Sequence, residues 1–411
     1  MGARRLLLGN PRFLVVWVVG GFTGIVRWLQ LLALGLYTFQ ITESPLLVSL
    51  VPMLWMLPLA LCGPFVGVVA DRVSRKALLV GSLVLALAVS VAMTIASGAA
   101  TLGFSWIAAA SVLSGIFWAT DMPVRRRLLG DLSDGDLAAA MSLDSATSNA
   151  TRMAGPVLGG VVLQTFSLSG VFLLSAAVFA ACLVAIALTP VPGAGRPAQS
   201  THFVRELISG IRFVAGDARL RWVFGITIVF NIFGFPFTSM IPVIGSGQLG
   251  LDPAMVGLLG SAEGFGAFIG AIVIAMAVRP GAFAPLYVWG TTAYLALVGC
   301  LGMVSLFGGG AVFPFVAAAG VLLAIGLAGA CFSAMQSTLS YLNALPEYRS
   351  RVLGVLTLCI GTGPIGFLHV GWLAESFGAP VALMVTASEG LLALLVLRVV
   401  GSRYDAERLS A

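Results

Sequence analysis

Apolar runs of twenty or more residues recur along the whole length of this chain. An α-helix rises about 1.5 Å per residue, so a run of this length crosses a hydrocarbon core of roughly 30 Å. Charged residues make up 9% of the sequence and hydrophobic residues 59%, whereas about 25% of the residues of a soluble domain are charged. The sequence therefore predicts an all-α integral membrane protein.

Hydrophobic length, with glycine, proline and charged residues between the runs, predicts twelve transmembrane helices. They cover residues 13–36, 45–70, 77–97, 103–121, 138–163, 168–189, 220–244, 254–278, 284–307, 313–338, 350–374 and 379–400. A polar stretch after the sixth helix predicts three parts. These are an N-terminal six-helix bundle at 1–189, a cytoplasmic linker with an amphipathic helix at 190–218, and a C-terminal six-helix bundle at 219–411.

The lysines and arginines predict the orientation of the helices. All of the 22 basic residues except Arg27 and Arg152 lie at the termini or in alternate loops, and loops rich in Lys and Arg stay on the cytoplasmic side. Both termini are therefore expected in the cytoplasm, and the chain in the inner (plasma) membrane. The net charge of +6 is spread over these loops, so it indicates no nucleic-acid partner. The expected partners are a small-molecule substrate and membrane lipids, and the expected state is a monomer.

The linker carries apolar residues at helical spacing, namely Phe203, Leu207, Ile211 and Val214. This spacing is typical of an amphipathic helix on the cytoplasmic surface. A solvated connection that merely joins the two bundles is the alternative. Neither interpretation gives the linker any chemistry.

Two similar motifs indicate an internal repeat. The segment from Gly155 to Gly159 is echoed by the segment from Gly363 to Gly366 at an offset of 208 residues. Six helices per half with equal orientation predict a parallel repeat about a pseudo-twofold axis along the membrane normal. This arrangement predicts a solute pathway between the halves.

The five cysteines lie in apolar runs without the spacing of metal ligands. They are Cys62, Cys182, Cys300, Cys331 and Cys359. We expect small buried residues, with neither a disulfide nor a metal site.

The loop after the second predicted helix reads Gly67-Val-Val-Ala-Asp71-Arg72-Val-Ser-Arg75-Lys76. It resembles the cytoplasmic loop signature of the major facilitator superfamily. The resemblance implies a cytoplasmic gate made by Gly67, Asp71, Arg72, Arg75 and Lys76. In physical terms Gly67 permits close helix contact, and Asp71 can cap a helix end and pair with cations.

The stretch from Pro123 to Gly160 resembles the branch of this superfamily that contains the enterobactin and macrolide exporters. Within it Gly155, Pro156 and Gly159 resemble the fifth-helix motif of exporting antiporters. The same residues also form a small-xxx-small face that favours close helix packing. The resemblance implies a secondary active transporter rather than an enzyme, with no cofactor and a proton gradient as its energy source. In contrast to many proton-coupled drug exporters, the fourth helix lacks an embedded arginine and the first carries Arg27 instead of an acidic residue.

Four ionisable residues, Arg27, Arg152, Glu263 and Glu389, lie near the middle of predicted spans. Each costs roughly 2.5–3.5 kcal/mol there unless it is paired or faces a wet cavity. By the family resemblance, the helices of the first three line or flank the central cavity. Arg27 and Arg152 are therefore candidates to hold substrate charge, and Glu263 to exchange a proton. A structural ion pair of Arg152 or Arg27 with Glu263 is the alternative, and Glu389 has no expected partner.

Two further polar residues have local interpretations. Asp144 forms a stripe with Ser148 and Thr151 on the fifth helix, and we expect it to pair with Arg72, Arg75 or Arg125. His369 could titrate near neutral pH, but a lone histidine is more often a hydrogen-bonded packing residue.

The seventh predicted helix contains an aromatic cluster around a Gly/Pro break, from Phe230 to Phe237. Such breaks expose backbone groups to a cavity and supply hinges. With Gln30 on the first helix, Asn231 and Phe235 would then line a pathway for a bulky, partly apolar solute. Aromatic packing against lipid or other helices is the alternative.

These features predict a proton-coupled exporter of a small amphipathic or anionic compound, such as a drug or a siderophore, that works by alternating access. A lipid or lysophospholipid flippase on the same fold, and a facilitated importer, remain open. A membrane enzyme or receptor would require a catalytic cluster or an output domain, and the sequence suggests neither.

Overall fold

The computed structural model describes residues 9–72, 74–99, 102–133, 136–190, 203–307 and 312–409. These residues form helices and connecting turns and contain no strand. The helices are α1 (Pro11–Thr42), α2 (Pro45–Arg72), α3 (Arg75–Gly98), α4 (Phe104–Asp131), α5 (Leu137–Leu188), α6 (Phe203–Gly216), α7 (Ala218–Val229), α8 (Pro253–Ala277), α9 (Phe283–Leu306), α10 (Val312–Leu342), α11 (Arg349–Ile360), α12 (Gly363–Phe377) and α13 (Ala379–Leu409). Ten segments of this described part are long and apolar enough to cross a membrane.

Several helices begin where a polar side chain accepts hydrogen bonds from backbone N–H groups of the first turn. Asn10 accepts the N–H groups of residues 12 and 13 at the start of α1, and Ser74 accepts that of Ala77 in α3. Asp136 and Asp217 cap α5 and α7 in the same way. Since the first turn of a helix leaves its N–H groups unbonded, these caps fix where each helix starts.

Helix α5 is bent at Ser167, whose φ of 58° and ψ of −174° are not helical. The sequence predicts two helices here, at 138–163 and 168–189, and the break between them is confirmed. A serine at positive φ is strained because its Cβ crowds the backbone. The bend therefore divides this 52-residue element into two arms.

The predicted break in the seventh helix is also confirmed. Helix α7 ends at Val229, a π-helical turn covers Phe230–Gly234, and a 3₁₀ turn covers Phe235–Met240. Pro236 lacks an N–H group and cannot continue an α-helical ladder. The irregular segment thus follows from its sequence.

Helix α6 lies where the sequence predicts an amphipathic helix in the linker. Phe213 stacks on Tyr348 with ring centroids 4.3 Å apart, and Arg351 Nη1 donates to Ser209 Oγ over 3.4 Å. Helix α6 is therefore docked against the start of α11 and is more than a solvated connection. Residues 191–202 of the linker lie outside the described part.

The chain divides into two compact units. The first comprises residues 1–43, 54–200 and 252–261. Its core lies among α1, α3, α4 and α5, where Phe13, Leu83 and Leu128 are fully buried. The start of α8 belongs to this unit, because Val157 N–H donates to Ser261 Oγ over 3.1 Å.

The second unit comprises residues 44–53, 201–251 and 262–411. Its largest fully buried side chains include two tyrosines, Tyr287 and Tyr294. The Tyr287 hydroxyl donates to Val223 O over 3.0 Å and lies 2.9 Å from the hydroxyl of Thr227. A hydrogen-bonded tyrosine thus joins α9 to α7 inside the unit.

The expectation that every cysteine is buried is wrong for Cys300, which is exposed. Cys300 lies on α9, where an apolar run borders the surface of the bundle. In a membrane protein an apolar surface faces lipid tails, so hydrophobicity alone does not separate buried from lipid-facing positions. The side chain of Cys62 lies outside the described residues.

Gly159 of α5 offers a test of the packing. A Cβ at this position would lie 2.7 Å from Leu29 O and 3.1 Å from Leu29 Cα on α1. We expect Gly159→Val to destabilise the protein by about 1–3 kcal/mol, because backbone cannot move aside as a side chain can. Gly81→Val is the matched control, since a Cβ there meets nothing within 4 Å. The thermal unfolding midpoint of purified protein checks this, and equal midpoints for the two variants would contradict it.

Candidate functional site

Arg27 of α1 is surrounded by three indole rings. Its Cζ lies 4.9 Å from the ring centroid of Trp28, 5.5 Å from that of Trp118 and 5.7 Å from that of Trp55. Trp55 and Trp118 also stack on each other at 4.4 Å. Cation–π attraction therefore holds the guanidinium within this aromatic site.

Three N–H donors of this site are buried without an acceptor. Arg27 Nε, Trp28 Nε1 and Trp118 Nε1 have no hydrogen-bond partner in the described part of the chain. An unpaired buried donor costs about 1–3 kcal/mol. One of these donors belongs to the Arg27 cation and two belong to indole rings beside it, so the site suits an anionic acceptor.

A second arginine lies beside the same ring. The Cζ of Arg152 on α5 is 5.3 Å from the centroid of Trp28. The structure thus brings Arg27 and Arg152 together through a shared indole. Close packing makes this possible, because a Cβ on Gly155 of α5 would lie 3.0 Å from Ile25 O on α1. The charge of Arg27 within this aromatic setting favours a negative ligand.

A network of charges lies next to Arg27. Arg125 Nη1 donates to Asp144 Oδ1 over 2.6 Å, and Arg125 Nε donates to Asp121 Oδ2 over 3.3 Å. Arg126 Nε donates to the second oxygen of Asp144 over 3.0 Å. The predicted pairing of Asp144 with Arg125 is confirmed. These groups and Arg27 line one narrow cleft of about 40 Å³, which has room for only a few water molecules.

The sequence interpretation placed Arg125, Arg126 and Arg127 in a loop after a helix that ends at residue 121, and this is wrong. Helix α4 continues to Asp131 with Pro123 inside it. The three arginines are therefore helical, and Asp121 lies one turn before Arg125. The spacing of four residues between opposite charges was the signal that could have predicted this pair.

Part of the predicted gate motif lies in the described region. Arg75 pairs with Asp131, and Lys76 Nζ donates to Ala187 O over 2.7 Å and to Thr189 O over 2.8 Å. Lys76 thus caps the end of α5, where helix carbonyls lack partners. The side chains of Gly67, Asp71 and Arg72 lie outside the described residues.

The remaining predicted pathway residues have local contacts. Gln30 Nε2 lies 3.5 Å from Ser90 Oγ on α3, so Gln30 is directed towards that helix. In the second unit, Asn231 Nδ2 donates to Thr227 O over 2.9 Å, and Phe235 lies edge-on to Phe367. Glu263 of α8 is buried.

Glu389 has a partner, contrary to the expectation from sequence. Its Oε2 shares a hydrogen bond of 2.7 Å with His369 Nε2. Helices α12 and α13 form an antiparallel hairpin around Gly378, and the two residues lie at nearly equal distances from this turn. Their symmetric placement about the turn could have predicted the pair. The hydrogen bond confirms His369 as a hydrogen-bonded residue. Phe233 of the irregular segment lies edge-on to the imidazole.

Comparison with known proteins now adds to this geometry. The pattern of the transmembrane secretion effector family, a major facilitator family, matches residues 7–409. The chain belongs to this family. It is therefore a multi-pass membrane transporter and not an enzyme.

Curated relatives include two proteins matched over most of their length. Macrolide efflux protein A of Streptococcus pyogenes is 20% identical over 89% of this chain and 90% of that protein. The staphyloferrin A transporter of Staphylococcus aureus is 25% identical over 86% and 87%. The uncharacterized MFS-type transporter YfiS of Bacillus subtilis is 28% identical, but the match spans only 46% of this chain and 45% of that protein.

A solved structure supports the fold. The crystal structure of the nucleoside transporter NupG matches with a TM-score of 0.75, covering 95% of this chain and 98% of that one. Only 12% of the residues are identical. The likeness therefore shows the transporter fold and nothing about substrate.

The charge network makes a testable contribution to stability. Asp144→Asn removes the carboxylate between two arginines, and loss of one partner of a buried ion pair costs about 3–5 kcal/mol. Asp136→Asn on the same helix is the matched control, because asparagine caps a helix as well as aspartate does. We expect chemical unfolding to show a large loss of stability for the first variant only. Equal stabilities for both would refute the structural role of the network.

Proposed function

We propose that this transporter is a proton-coupled exporter of a small amphipathic or anionic compound and works by alternating access. The observation that carries the proposal is the pair Arg27 and Arg152 around Trp28. Charge and aromatic surface occur there together, so a compound with a negative group and a flat apolar body suits the site better than a cation does.

The binding mode follows from the donors of the site. An anionic oxygen of the compound would accept hydrogen bonds from Arg27 Nε and from the indole N–H of Trp28 or Trp118. These buried donors would then have the acceptor that they otherwise lack. The rings would contact the apolar part of the compound. Both the hydrogen bonds and the ring contacts are needed for binding, because a small hydrated anion has no apolar surface to pack against the tryptophan rings.

The relatives support export of a drug or a siderophore. One is named for macrolide efflux and another for transport of staphyloferrin A. A third, the multidrug efflux pump Tap of Mycobacterium tuberculosis, is 27% identical over 68% of this chain. The helix-5 motif of Gly155, Pro156 and Gly159 favours the same direction of transport.

The proposed topology has twelve crossings in the inner membrane with both termini in the cytoplasm. Ten candidate spans, the bend of α5 at Ser167 and the additional helix α2 support this number. We retain two six-helix bundles, at 1–189 and 219–411, related by a pseudo-twofold axis and joined by a linker at 190–218. The basic loops support this orientation, and the transporter is proposed to act as a monomer.

The other predicted residues would carry the proton, line the route of the solute and form the cytoplasmic gate. Glu263 exchanges the proton, since a buried carboxylate in a span is by default functional. Gln30, Asn231 and Phe235 contact the solute on its route. The residues Gly67, Asp71, Arg72, Arg75 and Lys76 form the cytoplasmic gate.

Substitution of Arg27 tests the substrate site. Naphthalene-1-sulfonate is a suitable probe, because it joins a permanent negative charge to an aromatic body, and naphthalene-1-sulfonamide is its neutral counterpart. We expect the wild-type protein to prefer the sulfonate, and Arg27→Gln to weaken its binding about tenfold or more through loss of a charge-assisted hydrogen bond. Equilibrium dialysis with purified protein measures both affinities. Arg12→Gln, an exposed position on the same helix, should bind as wild type; a similar loss there would refute the site.

Substitution of Glu263 tests the coupling. Proteoliposomes with an acidic lumen should accumulate naphthalene-1-sulfonate through the wild-type protein, because protons leave as the probe enters. Glu263→Gln should abolish this accumulation and retain binding of the probe. Glu206→Gln, the same change on α6, should accumulate the probe normally. Unchanged proton-driven accumulation by the Glu263 variant would refute its role, and accumulation of a fluorescent lysophospholipid instead of the sulfonate would favour a flippase.

A further inference from the structure

A groove on the second unit has no role in the proposed transport. It lies between α7, α9 and α13 and has a volume of about 480 Å³. Its lining is mostly aliphatic and includes Ile226, Val288, Leu391 and Leu395. This volume lies in the range of pockets that hold small organic ligands.

Two of the helices that line the groove also make a close contact with each other. Helices α9 and α13 approach closely at one end, where a Cβ on Gly302 would lie 2.6 Å from Pro380 O and one on Gly299 would lie 3.3 Å from Ala387 Cβ. Nearer the start of α9, the bulky side chains of Val288, Trp289 and Leu395 line the space. At the floor of the groove Trp222 lies edge-on to the fully buried Tyr287.

The groove has the depth of one lipid leaflet. On α9 it extends from Ala284, next to the helix start, to Thr292, a rise of about 12 Å at 1.5 Å per residue. Half of a hydrocarbon core of about 30 Å is of similar length. The groove therefore begins at the membrane surface and ends near the bilayer centre.

The mouth of the groove has the chemistry of a membrane interface. Arg398 lies at the end of the span Ala379–Val399, with its Cζ 5.9 Å from the ring centroid of Trp289. Trp289 is 62% exposed and lies between the start of α9 and the inner end of the groove, where a long arginine side chain at the end of α13 can pack along its ring while its charge stays near the membrane surface. Arg398 makes no ion pair with a carboxylate of the described residues, so its guanidinium can bind a phosphate.

We propose that this groove binds an anionic phospholipid. One acyl chain lies along the aliphatic lining, and the headgroup phosphate accepts hydrogen bonds from Arg398. Charge complementarity selects an anionic lipid, and the bilayer supplies it directly, since the groove opens on the lateral surface of a membrane transporter. The leaflet is the one faced by the basic loops. The site is independent of the substrate proposed above.

Quenching of tryptophan fluorescence by brominated lipids tests the proposal. Full-length protein is reconstituted in two bilayers of equal composition, one with brominated phosphatidylglycerol and one with brominated phosphatidylcholine. The double variant Trp222→Phe/Trp289→Phe lacks both tryptophans of the groove. The difference between the wild-type fluorescence and the fluorescence of this variant is therefore the signal of the groove. We expect the wild-type groove to be quenched more by phosphatidylglycerol, and Arg398→Gln to lower its relative affinity for that lipid about fivefold, which corresponds to about 1 kcal/mol for one cation near a membrane surface.

Controls separate loss of the site from loss of the fold. Arg398→Lys should retain part of the preference, and Arg127→Gln, an exposed arginine on α4, should retain all of it. Each variant must elute as wild type in size-exclusion chromatography. Equal quenching by both lipids in the wild-type protein would overturn the proposal, as would an unchanged preference in Arg398→Gln. If neither lipid quenches the groove signal, a second molecule of this protein covers the groove, and the proposal of a bound lipid is overturned as well.

Discussion

The close contact of α1 with α5 determines the geometry of the candidate site. Lipid tails are as apolar as leucine, so helices in a membrane associate through close packing instead of hydrophobic exclusion from water. Gly155 and Gly159 provide this packing, since their missing side chains leave room for the backbone of α1 at Ile25 and Leu29. Trp28 is thereby held between Arg27 and Arg152, and a bulkier residue in α5 would separate the two cations.

The electrostatic balance of the first unit depends on this arrangement. The cleft is lined by three guanidinium groups and two carboxylates. Asp144 binds Arg125 and Arg126, and Asp121 binds Arg125 through one oxygen. The described contacts of Arg27 are aromatic rings, which stabilise a cation without neutralising it. The positive charge that remains in a low-dielectric setting is the physical reason for proposing an anionic ligand.

Helix positions were predictable from sequence to a few residues, because hydrophobic length is a direct consequence of membrane thickness. The exceptions have local causes. Pro123 suggested a helix end, whereas α4 continues through it. The enclosure of Arg27 could not be predicted, because Trp28, Trp55 and Trp118 come from three helices whose rotation about their axes depends on packing. The pair of His369 and Glu389 could have been predicted, because a helical hairpin with arms of equal length brings together residues that are equally far from its turn.

The second unit has a different interior from the first, although the sequence motifs predict two related halves. Its interior joins α7, α9 and α10 through the hydroxyls of Tyr287 and Thr227 and the amide of Gln336, without ions among these three side chains. Its distinctive feature is irregular backbone, since Phe230–Met240 leaves the α-helical ladder. Small residues hold this segment in place: a Cβ on Gly390 would lie 2.9 Å from Phe233 Cβ, and one on Gly366 would lie 2.6 Å from Pro236 Cγ. A change from α-helical to π and 3₁₀ hydrogen bonding inside a helix often marks a hinge. The first unit therefore contributes fixed charge and the second an irregular helix, and the alternating access proposed above would use both properties.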